Sequence, residues 1–117
     1  MSDYDSMARI SSLFKQFAAR LETQVPGRVT VEAQKVKLQD EVNEFVEEPS
    51  MEELADVVVV AGMAAGCLGH DFEGLLGYVE SKLRVNLDRR WYPTTSGTAR
   101  NAPEGDVLNQ PCPKHRV

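Results

Sequence analysis

The sequence predicts an all-α fold built as a four-helix bundle. Two observations support this prediction. Apolar residues recur every three or four positions through four successive segments, the period of an amphipathic helix. Helix-capping residues and turn residues fall between those segments, as in the Pro26-Gly27 pair after the first. The chain has 117 residues, which fits one domain. We expect a helical domain over residues 1–92 and an irregular C-terminal tail over 93–117, where Pro, Gly, Thr and Asn are frequent.

The helix limits follow from local signals. Thr30, Ser50 and Asp71 are suitable N-cap residues for the second, third and fourth helices. Ser50 is followed three residues later by Glu53, which forms a capping-box pattern. Gly69 is suited to stop the third helix in a left-handed conformation. The four helices are therefore predicted over 4–21, 31–48, 51–68 and 72–91.

The third segment is apolar on nearly all sides. Four consecutive valines, 57–60, favour a strand locally. The length of the segment, its cap and the small residues that follow favour a helix instead. A helix that is apolar all round should be buried on most sides, and four helices in about 90 residues cannot cover it. We therefore expect a homodimer or homotetramer that associates through apolar helix faces.

Composition excludes several classes of function. The formal net charge is −5, which argues against a partner that is a nucleic-acid polymer. The longest apolar stretch, 54–68, contains Asp56 and is shorter than the roughly 20 residues that cross a bilayer. Cys67 and Cys112 form no disulfide framework, and no signal peptide is visible. The sequence therefore predicts a cytoplasmic protein that does not enter membranes.

Two carboxylate pairs form the candidate chemical site. Glu41 and Glu44 are three residues apart on the second predicted helix, and Glu53 and Asp56 are three apart on the third. Residues with this spacing share a helix face, and a short loop makes the two helices neighbours. The four carboxylates should then converge, where they would repel unless a cation joined them. Oxygen ligands favour hard cations such as Mg²⁺, Mn²⁺ or Ca²⁺.

Each of these residues also has an explanation without a metal. Glu41 and Glu44 could belong to a solvated acidic face, and Glu53 could simply close the capping box. Asp56 could face a polar gap or pair with an arginine. Asp56 is the most informative of the four, because a carboxylate in an apolar helix is costly without a partner.

A cationic stripe lies on the fourth predicted helix. Lys82, Asn86 and Arg89 follow one another at four and three residues, so they share a face that could hold phosphate oxygens. Cations near a helix C-terminus are also favourable without any ligand. Trp91 could stack on a base, or it could be an ordinary core or edge aromatic.

Taken together, these segments resemble the MazG-like all-α nucleotide pyrophosphohydrolases. The family pattern is a Glu-Glu-x-x-Glu run, then Glu-x-x-Asp on the next helix, then a Lys, Asn and Arg set. The matching segments here are 40–44, 53–56 and 82–89. Asp40 stands where the family usually has Glu. The similarity covers about half of the chain, residues 31–92.

The resemblance implies both an activity and roles for residues. It implies hydrolysis of a nucleoside triphosphate, such as dGTP or another deoxynucleotide, to the monophosphate and pyrophosphate. Glu41, Glu44, Glu53 and Asp56 would bind Mg²⁺ or Mn²⁺, and Glu41 or Glu44 would help to deprotonate the attacking water. Lys82, Asn86 and Arg89 would hold the triphosphate, and we expect Lys37 and Trp91 to bind the substrate as well. The alternatives are a pyrophosphohydrolase of a phosphoribosyl nucleotide and a helical interaction protein without catalysis.

Overall fold

A computed structural model of the chain describes residues 3–101, with the side chains of 5–101. Within this range the main elements are helices. They are α1 (Asp3–Gln24), α2 (Val31–Glu47), α3 (Met51–Cys67) and α4 (Phe72–Asp88), followed by two short strands, β1 (Trp91–Pro93) and β2 (Ala99–Asn101). The prediction of an all-α fold with four helices is confirmed.

The predicted caps form the starts of three helices. The side-chain oxygens of Thr30, Ser50 and Asp71 each accept a hydrogen bond from the backbone N–H three residues further along the chain, at 3.1, 3.1 and 2.8 Å. These bonds satisfy N–H groups that have no partner inside the helix. Gly69 has a φ of 87°, the left-handed conformation expected where α3 ends.

The chain divides into two compact units, Met1–Gly77 and Tyr78–Val117. In the first unit α2 packs along α3, from which only residues 48–50 separate it, and α1 contacts α3. Val60, Met63 and Ala65 of α3 are buried and form the apolar centre of this unit. The two motif-bearing helices are therefore direct neighbours, as the short loop predicts.

One glycine allows α1 to approach α3 closely. A side-chain carbon at Gly62 would overlap the ring of Phe14. That ring stacks on Phe72, the first residue of α4, with 5.0 Å between the centroids and an interplanar angle of 28°. Gly62 thus provides the space in which the ring of Phe14 packs on α3, and Phe72 packs on that ring.

The single chain covers α3 only in part, as expected for four helices of this length, and burial on most sides stays a prediction for the oligomer. Leu54, Val58 and Val59 are 40%, 45% and 40% exposed. The reason is geometric, because α1 and α2 cover only part of the surface of α3. The oligomeric state stays a prediction. Within residues 3–101 no helix is both long and apolar enough to cross a membrane.

The second unit contains the latter part of α4 and a β-hairpin. α4 ends at Asp88, before Trp91, and not at the predicted limit. Pro93, where irregular chain was predicted to begin, pairs with Ala99 in the antiparallel hairpin. Thr94 closes the turn by donating its N–H to the Thr98 carbonyl at 2.9 Å. Residues 102–117, the rest of the predicted tail, lie outside the described residues, and the division at residue 92 stays a prediction.

Candidate functional site

Three carboxylates from two helices meet in the first unit. Glu41 comes from the middle of α2, and Glu53 and Asp56 come from the first turns of α3. One oxygen of each carboxylate lies within 4.8 Å of the others. We call Glu41, Glu53 and Asp56 the carboxylate cluster. Three of the four predicted metal ligands therefore converge, as the three-residue spacing on paired helices predicts.

Glu44, the fourth predicted ligand, lies beside the cluster. Its side chain is exposed and shares a hydrogen bond with Glu41. This bond, together with the negative charge of Glu41, raises the pKa of the Glu44 carboxyl above its ordinary value. A proton held between the two groups removes one of two like charges, which explains the direction of the shift.

Glu41 is buried, at 6% exposure, and has a cationic neighbour one helical turn away. The Nζ atom of Lys37 lies 2.9 Å from its Oε1 atom. The bond to Lys37, followed by the bond to Glu44, lowers the pKa of the Glu41 carboxyl. The same ion pair raises the pKa of the Lys37 ammonium. Lys37 therefore keeps a buried carboxylate ionised.

Glu53 does not complete the capping box. Its backbone N–H donates to Ser50 Oγ, but its carboxylate belongs to the carboxylate cluster. Burial raises the pKa of Glu53, and the negative charges of Asp56 and Glu41 raise it further. Such an arrangement favours whatever positive species reduces the repulsion, a proton or a cation.

Two buried oxygens show that a cation fits this cluster. Apart from the proton that Glu41 and Glu44 can share, no described donor reaches Oε2 of Glu41 or Oε2 of Glu53. Buried carboxylate oxygens need a partner, and a divalent cation supplies one for several of them at once. The cluster could therefore hold a divalent metal ion through oxygen ligands alone.

Asp56 differs from its predicted environment. Its side chain is exposed in the single chain, although most of its neighbours in α3 are apolar. The expectation of a costly buried charge at Asp56 is therefore wrong here, and Glu41 on α2 is the buried carboxylate instead. The reason is again that the described helices cover only one side of α3.

A cavity of about 690 Å³ adjoins the carboxylate cluster. Glu41 and Asp56 form part of its wall, as does Lys37, which was predicted to bind substrate. The remaining wall comes from α1, the loop before α2, α2 and α3, and its main members are Phe17, Leu21, Arg28, Gln34, Val59 and Met63. A largely apolar cavity with a few polar groups in its wall is typical of a small-molecule site.

The sequence analysis missed the residues of this cavity other than Lys37 and the carboxylates. Gln34 is buried at 7% exposure, and its position gave one usable signal. It lies between Val31 and Leu38 at helical spacing, so it is a polar residue within the apolar stripe of α2. Phe17 and Met63 gave no such signal, because an apolar residue at helical spacing also suits a plain core.

The remaining predicted substrate residues belong to the second unit. Lys82 and Asn86 lie on α4, and Arg89 follows its end, with its N–H 3.3 Å from the Asn86 carbonyl. The side chains of Lys82 and Arg89 make no ion pair with a described residue. Trp91 is 46% exposed, and its Nε1–H donates to the same carbonyl at 2.8 Å. Whether these four residues reach a nucleotide stays a prediction.

Comparisons with known proteins show which solved structure this fold resembles. No family model matches the sequence, and no curated protein matches it. Among solved structures the chain is similar to the cyanophage S-2L MazG-like pyrophosphohydrolase, which was solved bound to dGDP and three catalytic Mn²⁺ ions per active site. The two chains are 28% identical, with a TM-score of 0.65, and the match covers 83% of this chain and 95% of the other.

The likeness extends over nearly the whole of the phage enzyme. The all-α fold and the three converging carboxylates agree with the motif resemblance. The similarity therefore supports the assignment of the chain to the MazG-like pyrophosphohydrolases, as a nucleotide diphosphohydrolase.

Proposed function

We propose that the protein hydrolyses a nucleoside triphosphate, preferentially a deoxynucleotide such as dGTP, to the monophosphate and pyrophosphate, with Mg²⁺ as its metal and Mn²⁺ as a substitute. The observation that carries this proposal is the convergence of Glu41, Glu53 and Asp56 beside a cavity that accommodates a nucleoside. The dGDP bound to the related phage enzyme supports the choice of a guanine deoxynucleotide.

The carboxylate cluster would hold the metal, and Glu44 would complete its acidic side. Bound Mg²⁺ would offset phosphate charge and increase the acidity of water. Lys37 would not bind the metal, because its ammonium is itself a cation and contacts Glu41 at 2.9 Å. Lys37 lies on the cavity wall, so it would attract the negatively charged part of the nucleotide toward the carboxylates.

The reaction is an attack of water on the α-phosphorus. The water oxygen forms a bond to phosphorus, and the bond from that phosphorus to the bridging oxygen of the β-phosphate breaks. Glu44 is our choice to accept the proton of the water, because its carboxylate lies outside the three that converge and is exposed. Pyrophosphate leaves with the electron pair of the broken bond. We assign the grip on its charges to Lys82, Asn86 and Arg89, on the match of these residues to the family pattern.

Hydrolysis in water labelled with ¹⁸O tests this proposal. The protein is incubated with a panel of ribo- and deoxynucleoside triphosphates and Mg²⁺ or Mn²⁺. The products are then separated and analysed by mass spectrometry. We expect the label in the monophosphate alone and an equal amount of unlabelled pyrophosphate. Release of orthophosphate, or label in pyrophosphate, would contradict attack at the α-phosphorus. Glu41→Gln is the inactive control, because it removes the charge of the buried carboxylate.

Cleavage of a phosphoribosyl nucleotide but of no nucleoside triphosphate in the same panel would favour the first alternative. A folded protein that cleaves neither kind of nucleotide, and whose melting temperature does not change with divalent cations, would favour the second alternative, a helical interaction protein without catalysis. We propose a homo-oligomer in the cytoplasm as the working state, with Cys67 as a free thiol.

A further inference from the structure

The cavity beside the carboxylate cluster contains one buried polar side chain that the proposed reaction does not use. Gln34 of α2 is 7% exposed and forms part of the cavity wall. Apolar side chains of α1 and α3, among them Phe17 and Met63, form the wall near it. A buried amide in an apolar wall matters for ligand choice, because an unpaired polar group there penalises any ligand that does not complement it.

The orientation of this amide is fixed by the backbone. Nε2 of Gln34 donates to the carbonyl oxygen of Arg28 at 3.2 Å. Turning the amide over would place its oxygen against that carbonyl oxygen, two acceptors in contact. No described residue donates to Oε1 of Gln34. The side chain therefore keeps Oε1 as an acceptor for a ligand in the cavity, beside the second N–H of Nε2.

Arg28, whose carbonyl oxygen accepts the bond from Gln34, is a second polar residue of the cavity wall. It belongs to the cavity wall, and its guanidinium makes no hydrogen bond or ion pair with a described residue. A guanidinium fork pairs with two adjacent acceptors, and guanine offers such a pair in O6 and N7. Next to O6, guanine carries the N1–H and 2-amino donors. Adenine interrupts the acceptor pair with its 6-amino group and has an acceptor at N1.

We propose that Gln34 determines the base specificity of the enzyme, with Oε1 accepting from the N1–H and 2-amino edge of guanine while Arg28 binds O6 and N7. This inference rests on the proposed function, since the phosphates of the same nucleotide would face Glu41 and Asp56 in the wall of the same cavity. The cavity, of about 690 Å³, lies within the range of small-molecule sites.

Binding of monophosphates to the unmodified protein tests the idea without hydrolysis. Calorimetry in the presence of Mn²⁺ compares dGMP with dAMP and with dGMP methylated at N1. We expect dGMP to bind about tenfold more tightly than either, the effect of one or two hydrogen bonds in a dry site. Equal affinities for dGMP and its N1-methylated form would overturn the proposal, as would a failure of dGMP to bind.

A matched pair of variants locates the effect. Gln34→Met keeps a similar length and volume but cannot accept the bond. Gln39→Met makes the same change on the same helix, at an exposed residue outside the cavity that bonds Asn43 at 3.3 Å. We expect the dGMP preference to fall about tenfold in the first variant and to persist in the second. An unchanged preference in Gln34→Met would overturn the assignment.

The two hypotheses fail in different ways. If the protein cleaves deoxynucleoside triphosphates but binds dGMP and dAMP equally, the assignment of Gln34 is wrong and the proposed function stands. If guanine is preferred through Gln34 but no triphosphate is cleaved, the proposed function is wrong and the recognition of guanine stands.

Discussion

The exposed ammonium of Lys37 and the buried carboxylate of Glu41 lie one helical turn apart, with 2.9 Å between Nζ and Oε1. The lysine side chain is 59% exposed and that of the glutamate 8%. One partner of the pair is therefore in contact with solvent, while the other is a buried member of the carboxylate cluster. In the protein without metal, this lysine is the cation among the described residues that Glu41 contacts.

We expect the stability of the metal-free protein to depend on Lys37. Lys37→Met leaves Glu41 buried beside Glu44 without its counter-ion, so the melting temperature of the metal-free protein should fall by several degrees. Addition of Mn²⁺ should restore part of the loss, because the metal then compensates the carboxylates. Thermal unfolding with EDTA and with Mn²⁺ measures both effects. Lys35→Met is the control, because Lys35 pairs at 3.3 Å with Glu32 and both side chains are exposed. Equal losses in the two variants would contradict this prediction.

Metal binding should depend on Asp56. A cation that binds only the folded protein raises its melting temperature, by an amount that grows with concentration above Kd. Asp56→Asn removes one of three converging carboxylates, so we expect activity to be lost and most of the Mn²⁺-induced rise to disappear. Glu47→Gln changes an exposed carboxylate on α2 outside the cluster and should leave both unchanged. Full activity in Asp56→Asn would show that the cluster is not the metal site.

Gly62 and Gly66 of α3 should respond oppositely to alanine. An added carbon at Gly62 would overlap Phe14, whereas at Gly66 it would meet no atom within 4 Å. Gly62→Ala should therefore cost about 1–3 kcal/mol through overpacking. Gly66→Ala should gain up to about 1 kcal/mol through helix propensity. Urea unfolding gives both values, and similar changes in the two variants would contradict the packing of α1 on α3.

The parts of this fold that the sequence predicted depend on local interactions. Thr30, Ser50 and Asp71 cap helices because a side-chain oxygen needs only the next turn to find its partner. The carboxylate cluster was predictable for a similar reason. Two residue pairs at helical spacing, joined by a loop of three residues, leave few other arrangements.

The features that the sequence did not predict depend on which other parts of the molecule pack against a given surface. An apolar helix indicates burial, but it does not say whether the same chain or another molecule supplies the cover, so the exposure of Asp56 was not predictable. The hairpin at Trp91–Pro93 was missed because a Pro beside polar residues also suits irregular chain. Gln34 was missed because a single polar residue in an apolar stripe is a weak signal without the cavity beside it.

The protein without metal should become more stable on mild acidification. The folded-state pKa values of Glu44 and Glu53 are raised above the ordinary value of 4.5. Between 4.5 and these raised values the folded state binds more protons than the unfolded state, so the free energy of unfolding decreases as the pH rises through this window. Glu41, whose pKa is lowered, opposes this trend only below 4.5.

Bound metal should reverse the pH dependence, because protons compete with the cation for the same oxygens. Melting temperatures between neutral pH and pH 4.5 should therefore rise with EDTA and fall with Mn²⁺ as the solution is acidified. The double variant Glu44→Gln, Glu53→Gln should flatten both trends. Parallel trends with and without Mn²⁺ would argue against a shared site for protons and metal.

The cationic residues of the second unit should affect the turnover of substrate and not the binding of metal. Lys82 and Arg89 make no ion pair with a described residue, so their charges are available for phosphate oxygens. If they hold the departing pyrophosphate, Lys82→Ala and Arg89→Ala should each lower kcat/KM about tenfold or more, the typical effect of losing a hydrogen bond to a charged group. The rise in melting temperature with Mn²⁺ should equal that of the unmodified protein, because the carboxylates remain.

Arg84→Ala is the matched control, since Arg84 also lies on α4 but pairs with Glu80 at 2.8 Å. A loss of activity in Arg84→Ala equal to that in Lys82→Ala would mean that the net charge of α4, and not contact with phosphate, attracts the nucleotide. Raising the salt concentration separates the two cases, because attraction by net charge weakens with screening while a direct charge-assisted hydrogen bond persists.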